Sequence, residues 1–171
     1  MGRRSAGRGI LTPVMAAIGL IVLAACSPQV AAESGPAVDK SEAATHPISG
    51  LKVIPLTVTT EKGTHSFRVE VADTMEAQRK GLMFRTELPA DEGMIFPYDG
   101  TTAEAFWMKN TVIPLDIIFI GPDHKISNIG AMATPYSLDP IYSVGSVLGV
   151  LELRGGRAAE LGIEPGDTVE W

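Results

Sequence analysis

From Leu51 to Trp171 the apolar residues come in short runs, rich in β-branched side chains and separated by turn residues. Such spacing matches strands far better than long helices. The predicted fold is therefore mainly β: a compact antiparallel β-sandwich or barrel with one or two short helices. A doubly wound α/β chain is excluded, since it needs a helix between successive strands. Leu56–Thr60 and Thr64–Ala72 flank Glu61-Lys62-Gly63 as a hairpin, with Phe67, Val69 and Val71 alternating against Arg68 and Glu70. That alternation gives one buried and one wet face. Leu115–Ile120 and Lys125–Ala131 flank the turn Gly121-Pro122-Asp123-His124 in the same way. Further strands are expected over Val147–Leu153 and from Asp167 to Trp171.

Helical signal is confined to two pieces. Over Thr74–Leu82, Asp73 is the expected cap, Glu76 completes a capping box and Gly81 ends the helix. Gly156–Leu161 stops at Gly162, before the turn Glu164-Pro165-Gly166-Asp167. With 171 residues, 45% hydrophobic and 20% charged, the chain has material for one modest core.

The first 25 residues read as a secretory signal: a basic stretch through Arg8, an apolar run from Ile10 to Ala25, then Cys26. The run, interrupted by Thr12-Pro13 and Gly19, is short of the ~20 residues a membrane span needs. Leu23-Ala24-Ala25-Cys26 resembles the bacterial lipobox, which implies cleavage before Cys26 and acylation of its sulfur. Two or three acyl chains, at about 0.8 kcal/mol per buried CH₂, hold a protein on a membrane. Ser27, in place of an aspartate, favours the outer membrane. The expected location is thus the periplasmic face of a membrane. Residues 26–50, rich in Ala, Ser, Pro, Glu and Gly, read as a tether averaging roughly 25–30 Å in span. Residues 51–171 form the single domain.

Charge narrows the partners. Loss of Arg3, Arg4 and Arg8 with the leader leaves 11 basic against 20 acidic residues, a net −9. No broad nucleic-acid-binding face is expected on such a chain. One cysteine excludes an internal disulfide and a cysteine-based metal centre. The five methionines Met75, Met83, Met94, Met108 and Met132, each except Met75 following or joining an apolar run, read as packing residues. His46, His65 and His124 lack ligand spacing, so no metal or cofactor is expected. Nucleotide-binding and serine-hydrolase motifs do not occur.

Recognition chemistry concentrates in Phe106-Trp107-Met108-Lys109-Asn110-Thr111-Val112-Ile113-Pro114-Leu115-Asp116. Alternation sends Phe106 and Met108 to one face and Trp107 and Lys109 to the other. Trp107 is then either a flat platform edged by Lys109 and Asn110 or a core residue beside a turn. Arg79 and Arg85 either pair with Glu76, Glu87, Asp91 or Asp116, or clamp an anion. An anion-clamping arginine has to share a pocket with Lys109. Asp116, Glu152 and Asp167 are the carboxylates in the most ordered segments.

Gly81-Leu82-Met83-Phe84-Arg85, Gly93-Met94-Ile95-Phe96, Phe106 to Ile120, Val150-Leu151-Glu152-Leu153 and Gly162-Ile163-Glu164-Pro165-Gly166-Asp167 together resemble the uncharacterised family known as domain of unknown function 192. The resemblance covers about Leu56 to Trp171 and implies a compact, mostly β domain, with no reaction or substrate attached. One departure is the turn at Gly121-Pro122-Asp123-His124-Lys125. Many relatives carry Asp-x-x-Gly there, which leaves the turn type open.

The expected function is a lipid-anchored binding module without covalent chemistry, with Arg85, Trp107, Lys109, Asn110 and Asp116 as candidate ligand-binding residues. Its partner would be a small molecule, a glycan or an envelope protein. The alternatives are an envelope hydrolase acting on glycan, with Asp116 and Glu152 or Asp167 as acid and base 5–10 Å apart in one cleft, and a purely structural envelope domain.

Overall fold

A computed structural model describes residues 44–171. The leader, Cys26 and most of the expected tether lie outside the described residues. The elements run β1 (Val53–Thr60), β2 (Gly63–Val71), α1 (Met75–Lys80), β3 (Glu92–Pro97), β4 (Ala105–Phe106), β5 (Leu115–Ile120), β6 (Ile126–Ala133), β7 (Ile141–Tyr142), β8 (Gly149–Arg154), α2 (Arg157–Leu161) and β9 (Thr168–Glu170). Seven strands form one sheet in the order β6-β5-β8-β3-β2-β1-β9, and β4 and β7 make a separate ribbon.

The sheet curls until its ends meet. Ile126 N–H donates to the Asp167 carbonyl (2.9 Å) and Val169 N–H to the His124 carbonyl (2.8 Å), tying β9 to the β5–β6 turn. These bonds cover the short β9 and the start of β6, parts of the edges that an open sheet would expose. His124 takes φ 61° in that turn, filling the left-handed position that suits glycine, with its ring 5.6 Å from that of Trp171.

Strand alternation divides the apolar residues into two cores. Leu56, Val58, Phe67, Val69, Ile95, Ile118, Ile120, Leu151, Leu153 and Val169 pack inside the barrel, joined by Ala158 of α2 and by Ile163. Met94, Phe96, Ile117, Phe119 and Val150 face outward beneath a cover that includes Ala77, Leu82, Leu88 and Met108. All six residues of β5 are consequently buried, which explains why its sequence is apolar at nearly every position.

Three expectations need correction. The sheet is not wholly antiparallel: β2 and β3 run parallel, because the 72–91 connection carries α1 across the outer core before the chain re-enters the sheet. The cap of α1 is Thr74, whose hydroxyl accepts from Ala77 N–H (3.1 Å), not Asp73. The packed domain also begins before residue 51: Thr45 bridges to Lys52, and the half-buried His46 ring lies 3.6 Å from Glu70.

Candidate functional site

The covered outer face of the sheet carries two buried acids, Glu70 of β2 and Glu152 of β8, on either side of Met94. Glu152 shares its face of β8 with Val150 and is paired laterally with Met94 of β3 and Ile117 of β5. Its exposure is 5%, and its Oε2 is buried with no hydrogen-bond partner among the described residues. Burial alone pushes its carboxyl from an ordinary 4.5 to about 8. It is therefore a neutral acid at pH 7, able to donate a hydrogen bond as well as accept one.

Glu152 lines a pocket of about 120 Å³, roughly the volume of four water molecules at ~30 Å³ each. The last turn of α1 contributes Gln78, Arg79 and Lys80; the segment through β4 contributes Phe106, Trp107, Lys109 and Thr111; Tyr98 follows β3. Burial, helped by the negative charges of Glu104 and Glu152, pushes the Tyr98 hydroxyl up to about 12. Glu152 is the single acid in this lining. Among the described residues Arg79, Lys80 and Lys109 make no ion pair, so three cations flank the pocket unneutralised.

The alternation expected in the Phe106–Lys109 segment is present. Phe106 stacks edge-on to Phe96 (5.0 Å) and Phe119 (6.0 Å), and Met108 is buried. Trp107 is 51% exposed, with Lys109 Nζ 5.2 Å from its ring centroid. Trp107 is thus a platform and not a core residue, and the contact with the ammonium steadies it. Asn110 supports this corner without lining the pocket. At φ 56°, its carbonyl accepts from Phe84 N–H (2.9 Å) and its amide contacts Met83 Sδ (3.7 Å). Phe84 (φ 65°) and Tyr136 (φ 63°) share the left-handed conformation, and Tyr136 N–H donates to the Thr111 carbonyl. Left-handed backbone at non-glycine residues costs about 1–3 kcal/mol each and gathers at functional loops.

Two other candidates are occupied elsewhere. Arg85 donates to both carboxylate oxygens of the buried Glu70 at 2.7 Å. Its partner is none of the four acids expected, and Arg85 lies outside the Glu152 pocket. Asp116 is fully buried and accepts from the backbone N–H of Met132 (2.9 Å), Gly156 (3.0 Å) and Ala158 (2.8 Å). It fastens a β6 irregularity and the start of α2 to β5.

The paired-carboxylate reading is overturned by register. Asp116 pairs with Leu153 and Ile117 with Glu152, so Asp116 shares the barrel-interior face of Leu153 while Glu152 shares the outer face of Ile117. Asp167 accepts from Glu164 N–H (2.8 Å) in the turn before β9 and does not line the pocket. Of the residues that do, Gln78, Lys80 and Tyr98 were missed in the sequence. Only the crossover from β2 to β3 brings α1 over Glu152, and no local pattern announces that. Arg79, unlike Arg85, does share a pocket with Lys109.

No curated protein matches the chain. A crystal structure of a protein of unknown function from Novosphingobium aromaticivorans DSM 12444 is 55% identical, with a TM-score of 0.75, covering 77% of this chain and 94% of that one. A second, of "a putative transcription regulator" from Sinorhizobium meliloti 1021, is 38% identical, with a TM-score of 0.68, covering 70% of this chain and 94% of that one. Residues 57–171 match the model of the domain of unknown function 192 family, described as Uncharacterized ACR, and the chain belongs to that family.

Proposed function

We propose that this protein is a membrane-tethered binding module whose site is the Glu152 pocket and the adjoining face of Trp107. One observation carries the reading: a buried carboxyl lines a pocket that it shares with Arg79, Lys80 and Lys109, three cations without an ion pair among the described residues. The buried Glu152 Oε2, without a partner among the described residues, costs about 1–3 kcal/mol, so the acid is not there to stabilise the fold.

The pocket is smaller than the ~300 Å³ at which sites for whole drug-sized ligands begin. It takes an end group of a few heavy atoms, while the body of the ligand lies against Trp107. With no second acid in the lining to complete a carboxylate pair, the arrangement suits capture and not acid–base hydrolysis. Lipid on Cys26 would hold the module at the periplasmic face of a membrane, with the following segment as its spacer.

The test is a nuclear magnetic resonance screen of the full chain against sugars, small organic acids and inorganic anions, read at the Trp107 indole N–H. The reading expects at least one class to shift that signal saturably and Trp107→Ala to abolish its binding with the fold retained. Ligands that bind equally well to Trp107→Ala, or no saturable shift from any class, would overturn it. Metabolic labelling with a fatty acid, lost in Cys26→Ser, tests the anchor.

A further inference from the structure

We infer that the group entering the Glu152 pocket is a carboxylate borne on a ring, held by the Glu152 carboxyl as hydrogen-bond donor and by Lys109, Lys80 and Arg79 as counter-charges. The inference rests on the binding reading above and adds the ligand's chemistry. Three features of the pocket select it.

The lining is one-sided in charge. Arg79, Lys80 and Lys109, from two different elements, line the pocket together with a single acid, in a chain that is acidic overall. An ammonium ligand would have to pass all three and is disfavoured, while an anion is drawn inward. Facing Glu152, β3 leads to Tyr98, β5 offers only apolar Ile117, α1 gives Arg79 and Lys80, and the β4 segment gives Lys109. Glu104 acts on Tyr98 and lies outside the lining.

An anion is compatible with Glu152 only while that carboxyl keeps its proton. A protonated acid donating to a carboxylate makes a short, charge-assisted O–H···O⁻ bond, stronger than a neutral one. A dianionic phosphate, bulkier than a carboxylate, fits the small volume less well. The exposed Trp107 face at the rim supplies a stacking surface for a ring outside the pocket.

The experiment compares four probes on the full chain from pH 6 to 9.5 by calorimetry and by the Trp107 indole signal: glucuronate, glucose, glucosamine and inorganic phosphate. The first three share a ring and differ in charge. Glucuronate should bind, with affinity falling tenfold for each pH unit above about 8 as Glu152 ionises. Glu152→Gln, which keeps an N–H donor, should still bind but lose that pH dependence, and Lys109→Ala should weaken binding at every pH. Preference for glucose, glucosamine or phosphate at the Trp107 signal would overturn the carboxylate while leaving the binding module standing. Affinity that rises with pH would likewise overturn it. No shift at Trp107 from any of the four would overturn the carboxylate, and the wider screen then decides the module.

Discussion

Asp116 and Glu152 stand on adjacent strands, one register position apart, and face opposite sides of the same sheet. One is fully satisfied by three backbone N–H groups and the other has an oxygen with no partner. Two buried acids so close in the sheet thus have opposite roles, the first holding the fold and the second opening onto a pocket.

Asp116→Asn puts an amide where three N–H groups converge on a carboxylate. Hydrogen bonds to a charged group contribute about 1.5–3 kcal/mol each, and a donor left unpaired adds to the loss. Urea unfolding should show about 2–4 kcal/mol less stability, with any ligand binding at Trp107 unchanged under native conditions. A loss below about 0.5 kcal/mol would contradict the role assigned.

Arg85→Ala strands the Glu70 carboxylate in a buried site, where side-chain exposures are 11% and 3%. Removing one member of such a pair costs about 3–5 kcal/mol, whereas replacing both by apolar residues costs far less. Arg85→Met with Glu70→Leu should accordingly unfold at a higher urea concentration than Arg85→Ala. Equal midpoints would count against a structural pair.

Gly93→Ala tests the packing between β3 and β8. A Cβ at Gly93 would stand 2.6 Å from the Glu152 carbonyl oxygen and 2.9 Å from Leu153 Cδ2, so the strands must move apart. Overpacking of this kind costs about 1–3 kcal/mol, which thermal unfolding should register. The Glu152 strand is what shifts, so the Trp107 indole signal should move as well.

Glu152 makes stability depend on pH. Its carboxyl ionises near 4.5 when unfolded and near 8 when folded, so between those values the unfolded chain holds fewer protons and stability falls as pH rises. Glu152→Gln removes that fall. The variant should gain on the parent by about 1.4 kcal/mol per pH unit across the window and run parallel to it above pH 8, by denaturant unfolding at each pH.

Local patterns carried much of the fold. The alternation of Phe67, Val69 and Val71 was legible because that strand's environment is written at spacing of two, and β5 because Ile117 to Ile120 form an apolar run next to a turn. The strand at Glu92–Pro97 was not, since four residues from Gly93 to Phe96 hold no alternation when both faces are buried. Nor was its parallel pairing, a consequence of a long-range crossover. At the site, Trp107 and Lys109 were readable from alternation, and Glu152 stood among the carboxylates of the most ordered segments. Arg85 was misleading because its partner, Glu70, lies 15 residues away on a strand whose alternation marks it as solvent-facing. The 72–91 connection and residues 44–50 cover that face.

The central claim is that Glu152 is a neutral acid facing the pocket, and the most direct measurement is a pH titration of its carboxyl carbon by nuclear magnetic resonance in the full chain labelled at glutamate. One resonance, absent in Glu152→Gln, should titrate near pH 8. If every glutamate instead titrates in the ordinary range around 4.5, the carboxyl is charged and solvated at neutral pH, and the account fails.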